Sequence, residues 1–323
     1  MKRFFFTSKM LSMLAILAMT FSTVSCDEDD DYNPTETIAT IAGRTENLST
    51  LVTALQRAEL VSTLNDPKAS FTVFAPTNQA FAAFLLAKGY SSINDPTLTP
   101  SALRQILLNH VVNIETYAAN LPTDGYIKTM ATSTNGTDNK LSLYVNKSSG
   151  TRLNNIASVI TKDTRATNGV IHIVDGVIDL PTITTHLRAN PSLSTLVGLL
   201  NRTGQPDFAA TLNGVGPFTV FAPSNDAFSS LDRELTGGIA SLSAGNISDV
   251  LRYHVVPVKV LSGAITDGQV VPTTLAPQTF RVNTTGGLKI TDARSRITDI
   301  GTVNIEATNG VIHAVNKVLL PTL

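Results

Sequence analysis

Two copies of one unit follow each other along the chain, and this duplication limits the possible folds more than any other feature. Residues 71–81 read Phe-Thr-Val-Phe-Ala-Pro-Thr-Asn-Gln-Ala-Phe, and residues 218–228 repeat them with two substitutions. Three further matches keep the same order: residues 48–52 with 193–197, 110–112 with 254–256, and 166–172 with 307–313. A repeat of about 140 residues has the length of a domain, not that of a solenoid or propeller unit. We therefore expect two similar domains in tandem, which favours a binding protein because a second site raises avidity.

The N-terminus carries the features of an export signal. Basic residues precede a mostly apolar run over residues 10–24, which is too short for a membrane-spanning helix. This run leads to Cys26, the only cysteine in the chain. Residues 23–26, Thr-Val-Ser-Cys, resemble the lipobox of bacterial lipoproteins. The resemblance implies a signal peptide over residues 1–25 and a lipid on Cys26, with plain secretion as the alternative.

Five consecutive acidic residues, 27–31, follow the cysteine. Such a charge block is typical of a solvated tether, which we place over residues 26–36. The block also resembles the surface-export signal of lipoproteins from the Bacteroides group. We therefore expect an outer-membrane lipoprotein exposed at the cell surface, with a periplasmic or secreted protein as the alternative.

The charge balance argues against nucleic acid as a partner. The chain has 24 basic and 25 acidic residues, and 21 and 20 remain without the signal's basic residues and the acidic block. A nearly neutral globular part provides no basic field for nucleic acid and no polybasic membrane patch. The lipid is thus the only membrane contact that we expect. Without a further cysteine, each copy must be held by a hydrophobic core, for which its length suffices.

Local patterns predict the elements of each copy. Apolar residues recur at i, i+3, i+4 and i+7 over residues 48–55 and 193–200, as on an amphipathic helix that opens each copy. The Phe-Thr-Val-Phe segment is rich in β-forming residues and ends in a proline, which indicates a strand. Asn78, Asn225 and Asn246 stand where helix N-caps are expected.

A later helix in each copy carries a histidine. His110 and His254 complete apolar stripes with i, i+3, i+4, i+7 spacing, which predicts buried rings satisfied by backbone or hydroxyl partners. Tyr253 is rotated by about 100° from His254, so we expect its side chain at the exposed margin of the helix. Replacing His254 by alanine should then lower the melting temperature more than replacing Tyr253.

Each copy ends in an Asn-Gly pair, at residues 168–169 and 309–310, and this pair is a strong signal for a β-hairpin. Residues 131–155 and 262–296 are rich in Thr, Asn, Ser and Gly, and we interpret them as surface strands and loops. Helices segregated from antiparallel strands make an α+β fold.

The motifs Phe-Thr-Val-Phe-Ala-Pro, His-Val-Val and Asn-Gly-Val-Ile-His, in this order, resemble those of the fasciclin domain. The resemblance covers residues 37–181 and 182–323. It implies two tandem domains, each a β-sandwich or wedge with helices packed on one side, and a role in adhesion. The adhesion-linked tyrosine–histidine pair of the family corresponds to Tyr253 and His254, whereas the first copy has Asn109 before its histidine.

The sequence lacks the motifs of common enzyme classes. It contains no Gly-X-Ser-X-Gly elbow, no His-Glu-X-X-His, no P-loop and no dinucleotide fingerprint. We therefore expect no enzyme activity, no cofactor, and no catalytic or metal site. The expected function is adhesion or interaction at the cell envelope, with a protein or glycan ligand at the cell surface or matrix and the stronger binding in the second copy. The alternative is a glycan-capture lipoprotein, although a chain without tryptophan has few aromatic platforms for sugars.

Overall fold

The computed structural model describes residues 34–133 and 139–323. The predicted signal peptide, Cys26 and the acidic block lie outside these residues. Within the described ranges, no helix is long and apolar enough to span a bilayer.

Both copies begin with short helices. The α-helices run over Ile38–Arg44 (α1), Ser49–Arg57 (α2), Val61–Leu64 (α3), Asn78–Lys88 (α4), Pro100–Leu108 (α5), Ile183–Ala189 (α6), Ser194–Leu200 (α7), Phe208–Asn213 (α8), Asn225–Glu234 (α9) and Ala244–Tyr253 (α10). The amphipathic helices predicted at the start of each copy are α2 and α7, but α1 and α6 precede them. Leu51 and Leu55 of α2 are buried in the core of the first copy, as their spacing predicts.

The strands alternate with these helices along the chain. They run over Phe71–Pro76 (β1), Val111–Val112 (β2), Asp124–Thr132 (β3), Lys140–Asn146 (β4), Arg152–Leu153 (β5), Ala157–Ala166 (β6), Gly169–Val174 (β7), Phe218–Pro223 (β8), Val255–Val256 (β9), Val270–Pro272 (β10), Thr279–Asn283 (β11), Lys289–Thr291 (β12), Ile297–Asp299 (β13), Ile305–Ala307 (β14) and Gly310–Val315 (β15). The first copy forms one sheet in the order β2-β1-β7-β6-β5-β4-β3. The second copy forms two sheets, β14-β15-β8-β9 and β10-β11-β12-β13.

The same parallel pair lies at the centre of both copies. Strand β1 pairs in parallel with β7, and β8 pairs in parallel with β15, with Phe71 opposite Gly169 and Phe218 opposite Gly310. The remaining pairs are antiparallel, as the sequence predicts. Alternate side chains of β1 point to opposite faces. Val73 packs against the helices, while Phe74 packs against the outer strands. This α+β arrangement, with helices on one side of the sheet, confirms the predicted fold.

The hairpin glycines are required by the closeness of this parallel pair. Gly169 has φ of +137°, and a Cβ added there would lie 1.9 Å from the carbonyl oxygen of Phe71. Gly310 has φ of +157°, and its added Cβ would lie 2.1 Å from the carbonyl oxygen of Phe218. Only glycine fits such an approach of two backbones. The Asn-Gly signal therefore marks a hairpin, as predicted, and also the contact that allows the parallel strand to pair.

The asparagine before each glycine joins the hairpin to the first helix of its copy. The Asn168 Oδ1 accepts a hydrogen bond from the Ile38 amide at 2.9 Å, and its Nδ2 donates to the Leu64 carbonyl at 2.8 Å. In the second copy the Asn309 Oδ1 accepts from the Ile183 amide at 3.0 Å. These asparagines stabilise helix starts far away in sequence, in addition to forming the turn.

The predicted N-cap of α4 is wrong by one residue. Thr77, not Asn78, is the cap, because its hydroxyl accepts a hydrogen bond from the Ala80 amide at 3.1 Å. The Asn78 Oδ1 accepts instead from the Thr50 amide at 2.8 Å, at the start of α2. Asn78 therefore supplies the side-chain acceptor for a neighbouring helix whose own cap residue, Leu48, has none.

The second copy repeats this arrangement. Ser224 caps α9, and the Asn225 Oδ1 accepts from the Thr195 amide of α7 at 2.9 Å. The predicted cap Asn246 is also wrong, because the hydroxyl of Ser243 caps α10 by accepting from the Asn246 amide. The sequence places these helix starts within three residues but misassigns the side chains that cap them.

Strand β4 is buried, although the sequence predicts a surface strand there. Its residues 141–145 are all buried, and the Tyr144 side chain is 1% exposed. One face packs on the core of the first copy, and the second copy covers the other: the Ser142 Oγ accepts a hydrogen bond from the Glu306 amide at 2.9 Å. Ser142, the serine of the Leu-Ser-Leu-Tyr-Val segment, thus has a partner in the other copy. In the second copy, β11 alternates between buried and exposed residues, as predicted for a surface strand.

Candidate functional site

The histidine of the His-Val-Val motif lies at the C-terminus of α10 and is buried. The His254 Nδ1 lies 2.7 Å from the Val250 carbonyl, and its Nε2 lies 2.9 Å from the Leu319 amide. Because an amide can only donate, Nε2 is the acceptor and Nδ1 carries the proton. Burial lowers the pKa of His254 to about 4. The predicted buried and satisfied histidine is thus confirmed, and it links α10 to the closing segment of the copy.

His110 has the same geometry in the first copy. Its Nδ1 lies 2.8 Å from the Ile106 carbonyl, its Nε2 accepts from the Ile178 amide at 2.8 Å, and burial lowers its pKa to about 4. The preceding Asn109 donates hydrogen bonds to the carbonyls of Ile178 and Asp179 at 3.2 and 3.1 Å. Asparagine at this position therefore strengthens the same contact between the helix and the closing segment.

Tyr253 is buried, and its predicted position at an exposed helix margin is wrong. The residue is 0% exposed, and its hydroxyl donates to the Thr279 carbonyl at 2.7 Å and accepts from the Ala293 amide at 3.0 Å. Its ring meets Phe280 edge to face. Burial raises the pKa of Tyr253 to about 12. The four-stranded sheet β10–β13 covers this side of α10, so the helix is buried on two sides, which its apolar stripe alone does not indicate.

The histidine of the Asn-Gly-Val-Ile-His motif has the opposite tautomer. The His172 Nδ1 accepts from the Asp163 amide at 3.2 Å, so its Nε2 carries the proton and donates to the Thr116 carbonyl at 3.0 Å. The ring stacks on Phe74 of the neighbouring strand at 5.5 Å. Burial lowers the pKa of His172, which keeps the ring neutral.

The second copy reproduces this contact. The His313 Nδ1 accepts from the Asn304 amide at 3.4 Å, and its Nε2 donates to the Val260 carbonyl at 2.8 Å. The ring stacks on Phe221 at 5.4 Å, and burial lowers its pKa. All four motif histidines therefore form internal hydrogen bonds.

Residues 113–116 form a loop after the first His-Val-Val motif, which we call presenting loop 1. The buried Thr72 hydroxyl donates to the Ile114 carbonyl at 2.6 Å and accepts from the Thr116 amide at 2.8 Å. With His172 bound to the Thr116 carbonyl, the loop is held from two adjacent strands. The side chain of Ile114 nevertheless points outward, and the residue is 61% exposed.

Residues 257–260 form the equivalent presenting loop 2. The Thr219 hydroxyl donates to the Val258 carbonyl at 2.6 Å and accepts from the Val260 amide at 2.8 Å. Val258 is 47% exposed. Sequence reasoning missed both loops, although an aliphatic residue four positions after each motif histidine was the available signal.

The structure has two concave surfaces of similar size. A mostly apolar cavity of about 500 Å³ borders presenting loop 1, and a more polar crevice of about 480 Å³ lies between the two copies. The crevice is lined by residues that include Asp124, Tyr126, Asn190, Ser192 and Thr302. Among residues 34–133 and 139–323, no three His, Cys, Asp or Glu side chains are grouped as metal ligands would be.

We predict that Tyr253 contributes to stability as a core residue, which differs from the exposed position expected from the sequence. Tyr253→Phe removes both hydrogen bonds of the hydroxyl and should cost about 1–2 kcal/mol, and Tyr253→Ala, which also empties the site of the buried ring, about 3–5 kcal/mol. Tyr117→Phe is the matched control, since its hydroxyl bonds only the exposed Glu115 carboxylate and its loss should cost under about 0.5 kcal/mol. Denaturant unfolding of the full chain measures all three. Equal stability of Tyr253→Phe and Tyr117→Phe would contradict the assignment.

Comparison with known proteins gives a consistent result. The model of the fasciclin domain matches residues 46–181 and 191–321. Protein sll1483 of Synechocystis sp. is 35% identical over 138 residues, which are 42% of this chain and 70% of that protein. Transforming growth factor-beta-induced protein ig-h3 of Sus scrofa is 28% identical over 88% of this chain, and human periostin is 28% identical over 79%. The chain spans only 39% and 29% of those two proteins.

A solved structure shares the fold of both copies together. It is a FAS1 domain pair from the insect cell adhesion molecule fasciclin I, with a TM-score of 0.51 and 19% sequence identity. The match covers 85% of this chain and 98% of the solved one. The chain therefore belongs to the fasciclin domain family, with two fasciclin domains in tandem.

Proposed function

We propose that this protein is an adhesion or interaction protein held at the cell envelope, which binds a protein or glycan ligand of the cell surface or matrix. The fasciclin domain pair with the same fold comes from an insect cell adhesion molecule, which supports a binding role. The internal duplication supports it too, because two linked sites bind a multivalent partner more strongly than one.

The presenting loops are the single observation that carries the proposal. Each copy uses its motif threonine and histidine to fix a loop, and each loop exposes one aliphatic side chain, Ile114 or Val258. A rigid loop loses little entropy on binding, and a buried apolar anchor often dominates the affinity of an interface. We infer that Ile114 and Val258 are partner contacts.

Tyr253 and His254 have an indirect role in this proposal. Both are buried, so they act by holding α10 and the start of presenting loop 2 in place. The expectation of stronger binding by the second copy rested on an exposed Tyr253. Tyr253 is buried and both copies present a loop, so both copies contribute to binding in this proposal.

A glycan-capture lipoprotein remains the second candidate. The crevice between the copies favours it, because carboxylate, amide and hydroxyl side chains line it beside the ring of Tyr126. Such groups suit a hydroxyl-rich ligand. A glycan array probed with the full chain distinguishes this candidate from protein adhesion.

We predict that acidic substitutions in the presenting loops abolish adhesion without unfolding the chain. Ile114→Asp and Val258→Asp should each weaken binding to immobilised collagen, fibronectin or laminin at least about tenfold, as the loss of an apolar anchor does. Leu86→Asp is the matched control, because Leu86 is 82% exposed on α4 and should bind normally.

Melting temperatures within a few degrees of the parent chain would show that the three variants remain folded. Retained binding by the double Ile114→Asp/Val258→Asp variant would contradict the role of the loops. Binding to glycans alone, with no matrix protein retained, would favour the second candidate.

We also predict that Cys26 anchors the protein. Cys26→Ala should move the protein from the membrane fraction to the soluble fraction, or leave it unprocessed, and should abolish metabolic labelling with palmitate. Fractionation of cells that express each chain measures this. Normal membrane association and labelling of the Cys26→Ala chain would contradict the lipoprotein assignment.

A further inference from the structure

A lysine of the first copy reaches directly into the second. The Lys128 Nζ on β3 donates to the Asn304 carbonyl at 2.8 Å and to the Ser142 Oγ at 3.0 Å. The same Ser142 Oγ accepts from the Glu306 amide at 2.9 Å. One hydroxyl on β4 therefore receives hydrogen bonds from both copies, which fixes their relative register at this point.

The carboxylate of Glu306 lies behind this contact and is buried. Glu306 is 3% exposed, and its Oε2 lies 2.6 Å from the Lys259 Nζ, whose side chain is 10% exposed. A buried carboxylate requires cationic partners. Lys259 supplies one from the second copy, and Lys128 adds attraction from the first. Burial lowers the pKa of Lys128 to about 8, an effect that Glu306 opposes and Lys259 reinforces.

Aromatic packing closes the seam around these charges. Tyr126 of the first copy packs against the apolar core of the second, and its ring meets His186 edge-on at 5.5 Å. The His186 Nε2 lies 3.1 Å from the Glu306 carbonyl. Glu306 is thereby fixed through its amide, its carbonyl and its carboxylate.

We propose that the cluster of Lys128, Glu306 and Lys259, joined through Ser142, holds the two fasciclin domains in one fixed orientation. An apolar seam alone tolerates sliding, because dispersion contacts are not directional. The hydrogen bonds of these charged groups are directional, and the buried Glu306 carboxylate is costly to leave unpaired. The cluster therefore selects one orientation even where it adds little net stability. Separation of the domains would remove from Lys128 its carbonyl acceptor and its nearby carboxylate.

The fixed orientation of the two domains also affects binding, and this consequence rests on the proposed function. Fixed domains hold the two presenting loops at one separation, so a partner with two sites at that separation binds both loops without further ordering cost. The fixed orientation itself does not depend on adhesion, and a distance measured between the two domains reports this orientation alone.

The test is a spin-label distance between the domains of the full chain. Cys26→Ser removes the natural thiol, and Leu86→Cys with Val215→Cys places one label on each domain, at residues that are 82% and 98% exposed. Lys128→Glu sets a second carboxylate against Glu306. The matched control is Lys289→Glu, which breaks an ion pair with Asp299 inside the second domain.

The parent chain and the control should give a single narrow distance distribution, and Lys128→Glu should at least double its width. Lys128→Gln keeps a donor for the Asn304 carbonyl and adds no second carboxylate, so it should broaden the distribution less. If Lys128→Glu does not fold, Ser142→Ala removes the shared hydroxyl with little change in volume and should also broaden it. A broad distance distribution in the parent chain would contradict the proposed fixed orientation. An unchanged narrow distribution in folded Lys128→Glu or Ser142→Ala would contradict the role of the cluster.

Discussion

Each fasciclin domain of this chain depends on the parallel pairing of two strands that are distant in sequence. In the first domain, β1 approaches Gly169 so closely that no other residue fits. The resulting register places Thr72 of β1 opposite Val170 and His172 of β7 opposite Phe74. Thr72 and His172 therefore point to the same face of the sheet, and both bind the backbone of Thr116. The second domain repeats the arrangement. The separate family motifs thus form one network of hydrogen bonds, and this network holds an exposed loop in place.

These hydrogen bonds require neutral histidines, because one ring nitrogen of each motif histidine must accept a hydrogen bond. In each domain one histidine carries its proton on Nδ1 and the other on Nε2, because a backbone amide occupies the remaining nitrogen. Folding lowers the pKa of His110, His186 and His254 from the ordinary 6.5 to about 4. The unfolded chain therefore binds more protons between these values. The contribution of these three neutral histidines to the free energy of unfolding is fully present above pH 6.5. It is lost progressively as the pH falls towards 4.

Sequence patterns predicted the features that are set locally. The duplication, the helix predicted over residues 48–55, the Asn-Gly hairpins and the inward histidines follow from the sequence pattern alone. The errors concern contacts with distant segments. Asn78 caps a neighbouring helix, and β4 and Tyr253 are covered by elements that no local period reveals. The sequence pattern does not predict the presenting loops for the same reason. The threonine and histidine that hold each loop come from strands that are far apart in sequence.

The central claim is that the motif histidines form internal hydrogen bonds, stay neutral at physiological pH and do not contact ligands. Nitrogen-detected NMR of the imidazole rings across a pH titration tests it most directly, since ring nitrogen shifts report both tautomer and charge. We predict Nδ1–H rings at His110 and His254 and Nε2–H rings at His172 and His313. His110 and His254 should stay unprotonated between pH 8 and about 5.5, and His172 and His313 should titrate below the ordinary 6.5. A ring of this set that titrates near 6.5, or that has the other tautomer, would contradict the account.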